Sequence, residues 1–322
     1  MNLKATTIGI WMYRNDGGHA IHDRLKKELE DRGHTVISDF DMRDCYCLNS
    51  EIFTKDGENL SKVDVFYHMN ADEQTPYQND ILKALEDSGV RVMPNWKSFS
   101  LAKDKFSTNL LLRKHGIDVP QATLMNKKNL DRQAKELFAQ WGKICMKPRR
   151  NHGGKGIMLF DSPTHFLDFL QATDGLMDSY YLEQYIPFGD QDVRVEIFQD
   201  QVIGGYSRKK THTFKTNVSS GGLMTPNVPT ADYQDIALRA VKLVGVETTM
   251  VDMVKSLVDN KIYILEVNPM MGIFVESGIR FSEKSAVKTI HKDFANDDLK
   301  LSKLVTFLDE EAKKSARTRG NV

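Results

Sequence analysis

TTMVDMVKSLVDNKIYILEVN, Thr248 to Asn268, is the stretch whose reading decides the fold. Apolar residues alternate with others on both sides of a polar centre, the pattern of an antiparallel hairpin. Three side chains are out of place in it: Asp252, Glu266 and Asn268. Glu266 and Asn268 are two apart, so they share one face of a strand. Asp252 joins that face only if it pairs with Glu266 or with a residue an even number away. Positions 252 and 266 have the same parity, so the connecting loop must hold an odd number of residues. The expected loop is Val258-Asp259-Asn260, because Asn tolerates the left-handed conformation such loops use. A two-residue Asp-Asn turn would turn Asp252 to the opposite face. Given the odd loop, two carboxylates and an amide oxygen converge among apolar residues. Burying them unpaired is costly, and a bound cation would offset that cost. Hard oxygen donors suit Mg²⁺ bridging nucleotide phosphates. The alternative is an exposed polar sheet face.

Working upstream, KPRRNHGGKGI spans Lys147 to Ile157. It is neither G-x-x-x-x-G-K-[ST] nor G-x-G-x-x-G, and it links two strands. Gly153, Gly154 and Gly156, with His152 and Lys155 among them, could let backbone N–H groups converge on an anion. Taken alone, the segment reads as a plain mobile turn. Lys147 at the end of an apolar strand brings a cation beside it, and Pro148 fixes the exit direction. Lys105 could add a second charge. His152 fits either a phosphate or substrate contact, or a solvated loop position.

DVRVE places Asp192, Arg194 and Glu196 on one strand face, opposite Val193, Val195 and Ile197. A tight Asp200–Gln201 turn joins this strand to the next, which ends near Arg208. Arg208 could reach a substrate carboxylate or a transferring phosphoryl group in a forked contact. Lys215 and Asn217, before Gly221-Gly222, could donate to phosphate.

The first ninety-odd residues alternate strand and helix, which predicts parallel strands with helical crossovers. A single long helix is expected over SFSLAKDKFSTNLLLRKHG, from its first Ser to a stop at Gly116. Strand, helix and strand follow before the glycine loop; hairpins dominate after it. The terminal KKSARTRGNV is expected to fray.

The 322 residues suffice for two or three units. Lys+Arg and Asp+Glu balance at 44 each, so no global field favours nucleic acid or an anionic membrane. No apolar run approaches the roughly 18–20 residues that span a bilayer. The N-terminus reads as a strand and not a signal peptide. Three cysteines, Cys45, Cys47 and Cys145, fit a reducing cytoplasm and make neither a disulfide framework nor a zinc site.

These pieces, in this order, resemble the ATP-grasp superfamily, and most closely the RimK-like carboxylate–amine ligases, over about Asn95 to Gly278. AKDKFSTNLLLRKHGIDVP resembles the family's entry segment, with Lys105 at its nucleotide-contacting lysine. KP at Lys147 resembles its phosphate-contacting lysine, and HGGKGI its lid loop. LEQYI resembles the adenine hinge, which implies Glu183, Gln184, Tyr185 and Ile186. DVR resembles D-I-R, implying a ribose-side Asp192 and a catalytic Arg194, with Arg208 beside it. FKTN…GG resembles F-R-S-N…G-G, with Lys215 where Arg is usual. Asp252, Glu266 and Asn268 fall on the family's metal ligands.

The resemblance implies a mixed α/β and α+β chain in three parts. These are a pre-ATP-grasp α/β domain (1–97), an entry helix and lid subdomain (98–187) and a C-terminal antiparallel-sheet domain (188–322). It implies ATP and Mg²⁺, with two ions and Mn²⁺ as a substitute, and small acid and amine substrates such as amino acids or peptides. A homo-oligomer is compatible with it. The expected reaction makes an amide through an acyl phosphate. The rivals are a small-molecule kinase on the same scaffold and an ATP-binding regulatory module without turnover. Two departures stand near the substrate side: EVNPMMGI after the acidic strand, and the cationic RRNHGGKG in the loop.

Overall fold

The computed structural model describes residues 5–12, 18–69, 75–151, 153–273 and 297–319. The chain opens with β1 (Thr7–Met12), α1 (Gly18–Asp31) and β2 (Thr35–Ile37). A short hairpin follows, β3 (Tyr46–Leu48) with β4 (Glu51–Phe53), then β5 (Val65–Met69), α2 (Pro76–Asp87) and β6 (Arg91–Met93). The expected parallel sheet is present, in the order β2-β1-β5-β6. Its central strands β1 and β5 are buried on both faces, as is usual for parallel sheets. Ile8 and Ile10 pack towards α1, whereas Trp11 and Phe66 pack towards α2. Gly9 has no room for a side chain, since a Cβ there would lie 2.7 Å from the Phe66 ring.

The single long helix expected next is two helices, α3 (Trp96–Lys103) and α4 (Lys105–Lys114). Asn95, and not a serine, caps α3. Asp104 breaks the run: its backbone is extended, and its Oδ1 accepts from the Ser107 N–H at 3.2 Å to cap α4. An aspartate satisfies otherwise orphaned helix donors best from a non-helical cap position, and here that preference outweighs continuity. The helix stop at Gly116 is as expected, with φ of 71°.

The second sheet is built from β7 (Ala122–Met125), β8 (Ile144–Lys147), β9 (Met158–Phe160) and β10 (Tyr180–Gln184), in the antiparallel order β7-β10-β8-β9. Helices α5 (Lys127–Trp141) and α6 (Pro163–Ala172) cover one face through Leu130, Leu137, Phe166 and Leu170. The glycine loop therefore joins the neighbouring strands β8 and β9.

The third sheet holds β11 (Gln191–Phe198), β12 (Gln201–Lys209), β13 (Leu223–Pro226), β14 (Thr248–Lys255) and β15 (Ile262–Val267). Its order is β13-β12-β11-β14-β15, antiparallel throughout. Phe198 pairs with Gln201, so the β11–β12 turn is Gln199-Asp200, one residue earlier than expected, and Gln199 takes φ of 56°. Helix α7 (Ala231–Val244) buries Ala237, Ala240, Val241 and Val244 at helical spacing against one face. Each such valine contributes roughly 1.5–3 kcal/mol when fully buried. The opposite face carries the charged residues.

The last helix, α8 (Asp297–Arg319), returns to the first sheet, where Leu301, Leu304, Val305 and Leu308 join the core of Ile8, Ile10 and Leu25. The basic tail expected to fray is helical as far as Arg319. The apolar stripe of α8 holds the helix across the sheet that begins the chain.

Candidate active site

The acidic hairpin was expected to turn on three residues; it turns on four. Ser256 N–H donates to the Lys261 carbonyl at 2.8 Å, which leaves 257–260 in the loop, with Asn260 left-handed at φ of 61°. An even loop alone would set Asp252 on the wrong face. A bulge corrects it: Met253 pairs with Ile264 but Asp252 pairs with Glu266, so Leu265 is the extra residue. Asp252 and Glu266 are thus opposed by a different route, whereas the convergence of Asn268 with them is not seen in the cleft lining.

Cross-strand register then lines up one charged row. Tyr206 pairs with Arg194, Arg194 with Asp252, and Asp252 with Glu266, across β12, β11, β14 and β15. Arg194 grips Asp252 through Nε at 2.6 Å and Nη2 at 2.8 Å, and its Nη1 donates to the Tyr206 hydroxyl at 3.0 Å. Arg208 donates from Nη2 to the same Asp252 carboxylate at 2.8 Å and from Nε to Asp192 at 3.1 Å. Thr216 completes the fully buried Asp192 with a 2.6 Å hydrogen bond. Glu266 faces the Lys105 ammonium at 2.8 Å. Burial by itself would raise the Asp252 pKa, yet Arg194 and Arg208 hold it down to about 2.

The second sheet supplies the other wall. Lys147 forms a buried ion pair with Glu183, which raises the lysine pKa above its usual value despite burial. The Tyr181 hydroxyl donates to the other Glu183 oxygen at 2.6 Å. Cys145 sits beside them, and burial pushes its thiol up to about 11, far from a reactive thiolate. The strand leaves through the hinge, where Gln184 N–H donates to Gln121 and Tyr185 N–H to Lys143.

Between the walls lies a cleft. Lys105, Lys147, Glu183, Gln184, Tyr185, Ile186, Asp192, Arg208, Lys215, Asn217, Asp252 and Glu266 all line it. Arg194 and Asn268 do not; Arg194 stands behind Asp252. Gly153, Gly154, Lys155 and Gly156 do not line the cleft either; the loop meets it through residues that do. Lys215 Nζ donates to the Gly154 carbonyl at 2.9 Å, and a Cβ on Gly154 would lie 2.6 Å from Asn217 Oδ1. Gly153, Gly154 and Gly156 all have positive φ, and Lys155 is exposed. His152 lies outside the described residues.

The lining carries four cations, Lys105, Lys147, Arg208 and Lys215, and four carboxylates, Glu183, Asp192, Asp252 and Glu266. A polyphosphate would therefore bring uncompensated charge unless a metal came with it. Among the described residues no three His, Cys, Asp or Glu side chains gather as a metal site. The third oxygen would be an amide: Asn268 Nδ2 donates to the Met250 carbonyl at 2.8 Å, which turns Oδ1 away from that strand. The two opposed carboxylates, Asp252 and Glu266, are hard oxygen donors of the kind that fit a divalent cation.

Sequence reasoning missed Phe188, Phe214 and Thr216, which also line the cleft. A polar loop gives no periodic signal for such contacts. Asp104 was missed as well, though D-K-F-S carries the mark of a helix cap.

Among the described residues no helix is long and apolar enough to cross a membrane. The RimK-like ATP-grasp domain model matches residues 102–286, more than half of the chain. A probable alpha-L-glutamate ligase of Trichodesmium erythraeum (strain IMS101) is 25% identical over 271 residues, 81% of this chain and 89% of that protein. The fold is similar to that of D-alanine–D-alanine ligase from Bacillus anthracis complexed with ATP, with a TM-score of 0.63 at 17% identity, covering 98% of this chain and 100% of that one. It is also similar to the ATP-grasp ligase PsnB complexed with minimal precursor, Mg and ADP, with a TM-score of 0.58 at 18% identity, covering 84% and 91%. With a two-walled cleft, a glycine loop beside it and the acidic row beneath, the chain belongs to the RimK-like ATP-grasp family of carboxylate–amine ligases.

Proposed function

We propose that this protein uses ATP and Mg²⁺ to join an amino acid or short peptide to an amine through an acyl phosphate. The observation that carries the reading is the opposition of Asp252 and Glu266 in a cleft whose second wall bears Lys147. Lys105, Lys147 and the glycine loop hold the β- and γ-phosphates, with Lys215 and Asn217 closing from the other side. Backbone groups of Glu183, Gln184, Tyr185 and Ile186 border the adenine, and Asp192 stands on the ribose side while it orients Arg208. Asp252, Glu266 and Asn268 would hold Mg²⁺, as two ions replaceable by Mn²⁺, which would offset charge on the phosphates. Arg208 and Arg194 stabilise the acyl phosphate and its tetrahedral successor. The amine then attacks the acyl carbon, phosphate leaves, and the amide remains.

The probable alpha-L-glutamate ligase of Trichodesmium makes glutamate the first amino acid to test, as either partner. The experiment is a screen of phosphate release over pairs of amino acids and short peptides with Mg-ATP, with mass spectrometry of the product. One condensed product per phosphate released is expected. A stable phosphorylated product that gives no hydroxamate with hydroxylamine would show a kinase instead. ATP binding without release for any pair would show a regulatory module.

A further inference from the structure

The cationic residues Arg149 and Arg150 stand in the loop where the resemblance is weakest, at the edge of a phosphate-binding cleft. Their position invites a role in reading phosphate or an acidic substrate. The Arg149 side chain is turned to the protein instead. Arg149 donates from Nε to Asp104 Oδ1 at 3.2 Å and from Nη2 to Asp104 Oδ2, a forked pair on a buried carboxylate. Arg150 adds one longer contact, 3.3 Å, to the same oxygen and stays mostly exposed. The Arg149 guanidinium also lies 5.6 Å from the centre of the Phe106 ring.

The partner is the residue that breaks the expected helix. Asp104 caps α4 and precedes Lys105, whose ammonium lines the cleft. Lys105 is tied to the same limb of the loop twice. Its N–H donates to the Arg149 carbonyl at 3.0 Å, and its Nζ donates to the Asn151 carbonyl at 2.5 Å. We propose that Asp104 and Arg149 form a latch that fixes the root of the glycine loop to the α3–α4 break, making both positioning residues for Lys105. The latch holds the two loop carbonyls in register with Lys105, so its ammonium is presented to a phosphate and not lost to solvent. The catalytic part of this inference rests on the ATP-binding reading of the cleft; the latch itself rests on geometry.

The variants separate these roles. Asp104→Asn keeps a good helix cap but loses the charged fork. Arg149→Lys keeps the charge and loses the fork, and Arg149→Ala removes both. Expected for Arg149→Ala and Asp104→Asn is a rise in KM for ATP of about tenfold with kcat within about threefold, because an unordered loop lowers the fraction of protein ready to bind. Arg149→Lys recovers only part of the loss, and Arg150→Ala stays within about twofold of the parent. Hydrogen exchange at the Lys105 amide, measured without nucleotide, should speed up about tenfold in Arg149→Ala. Parental KM together with unchanged Lys105 exchange in both Arg149→Ala and Asp104→Asn overturns the latch. Calorimetry of the parent protein with Mg-ATP separates the two ideas: absence of binding overturns the ATP reading, and the exchange measurement then decides the latch alone.

Discussion

Strand β11 carries two buried charge clusters on one face, and they differ in what lies over them. Asp192 and Arg194 belong to a shared network in which each guanidinium serves more than one acceptor and Asp252 takes two arginines. Two residues on, Glu196 meets Lys300 of α8 at 2.7 Å. The first cluster opens on the cleft; the second is sealed, with Glu196 and Lys300 side chains 2% and 1% exposed. The alternation D-V-R-V-E looks uniform, yet one end faces a ligand space and the other a helix. A buried ion pair adds little net stability over well-packed apolar groups, whereas removing one partner is costly. A shared network beside a cleft can exchange a protein partner for a ligand.

The largest effect expected from this contrast is in the open cluster. Asp252→Ala removes a proposed metal ligand and strands Arg194 and Arg208, so ATP-dependent phosphate release should fall by on the order of 10²–10³. Glu266→Ala should fall comparably, and release that survives both changes sinks the metal assignment. Next comes the sealed pair. Lys300→Met strands the Glu196 charge and should cost about 3–5 kcal/mol in urea unfolding. The folded fraction should keep kcat within about threefold, and adding Glu196→Gln should restore most of the stability. A large kcat loss with little stability loss would erase the distinction between the clusters.

Gly205→Ala probes the strand between them. A Cβ there would come 2.4 Å from Pro229 Cγ and 2.6 Å from the Arg194 carbonyl. Overpacking of this kind should cost about 1–3 kcal/mol and lower the melting temperature. The smallest effect is on pH. The Asp252 pKa is depressed in the fold, so its stabilisation is complete above the unfolded carboxylate value of about 3.9. It is lost as pH falls towards about 2. Stability curves of parent and Asp252→Asn should converge in that window and differ by a constant amount from pH 5 to 8.

Much of this was legible because local pattern and global fold agree. Strand alternation in β11, β14 and β15, the helix stop at Gly116 and the parallel first sheet all follow from periodicity and turn chemistry. The convergence of Asp252 with Glu266 was also legible, but its cause was not. Periodicity counts residues and cannot see that Leu265 is looped out, because a bulge is set by packing on both neighbours of a strand. The break at Asp104 was obscured in the same way: helix-forming residues flank it, and the carboxylate's partner Arg149 lies 45 residues on in the chain.

The amino-acid order by itself determined which residues could share a face: Asp192 with Arg194 and Glu196, and Glu266 with Asn268. It also determined where the chain must turn, through Gly116, Asn260 and the loop glycines, because backbone sterics are local. Only the tertiary structure decided which face became a cleft and which a core. That choice depended on α8 returning from the end of the chain to cover Glu196, and on the glycine loop reaching Asp104. Burial and ion pairing act through space, and no spacing along the chain encodes them.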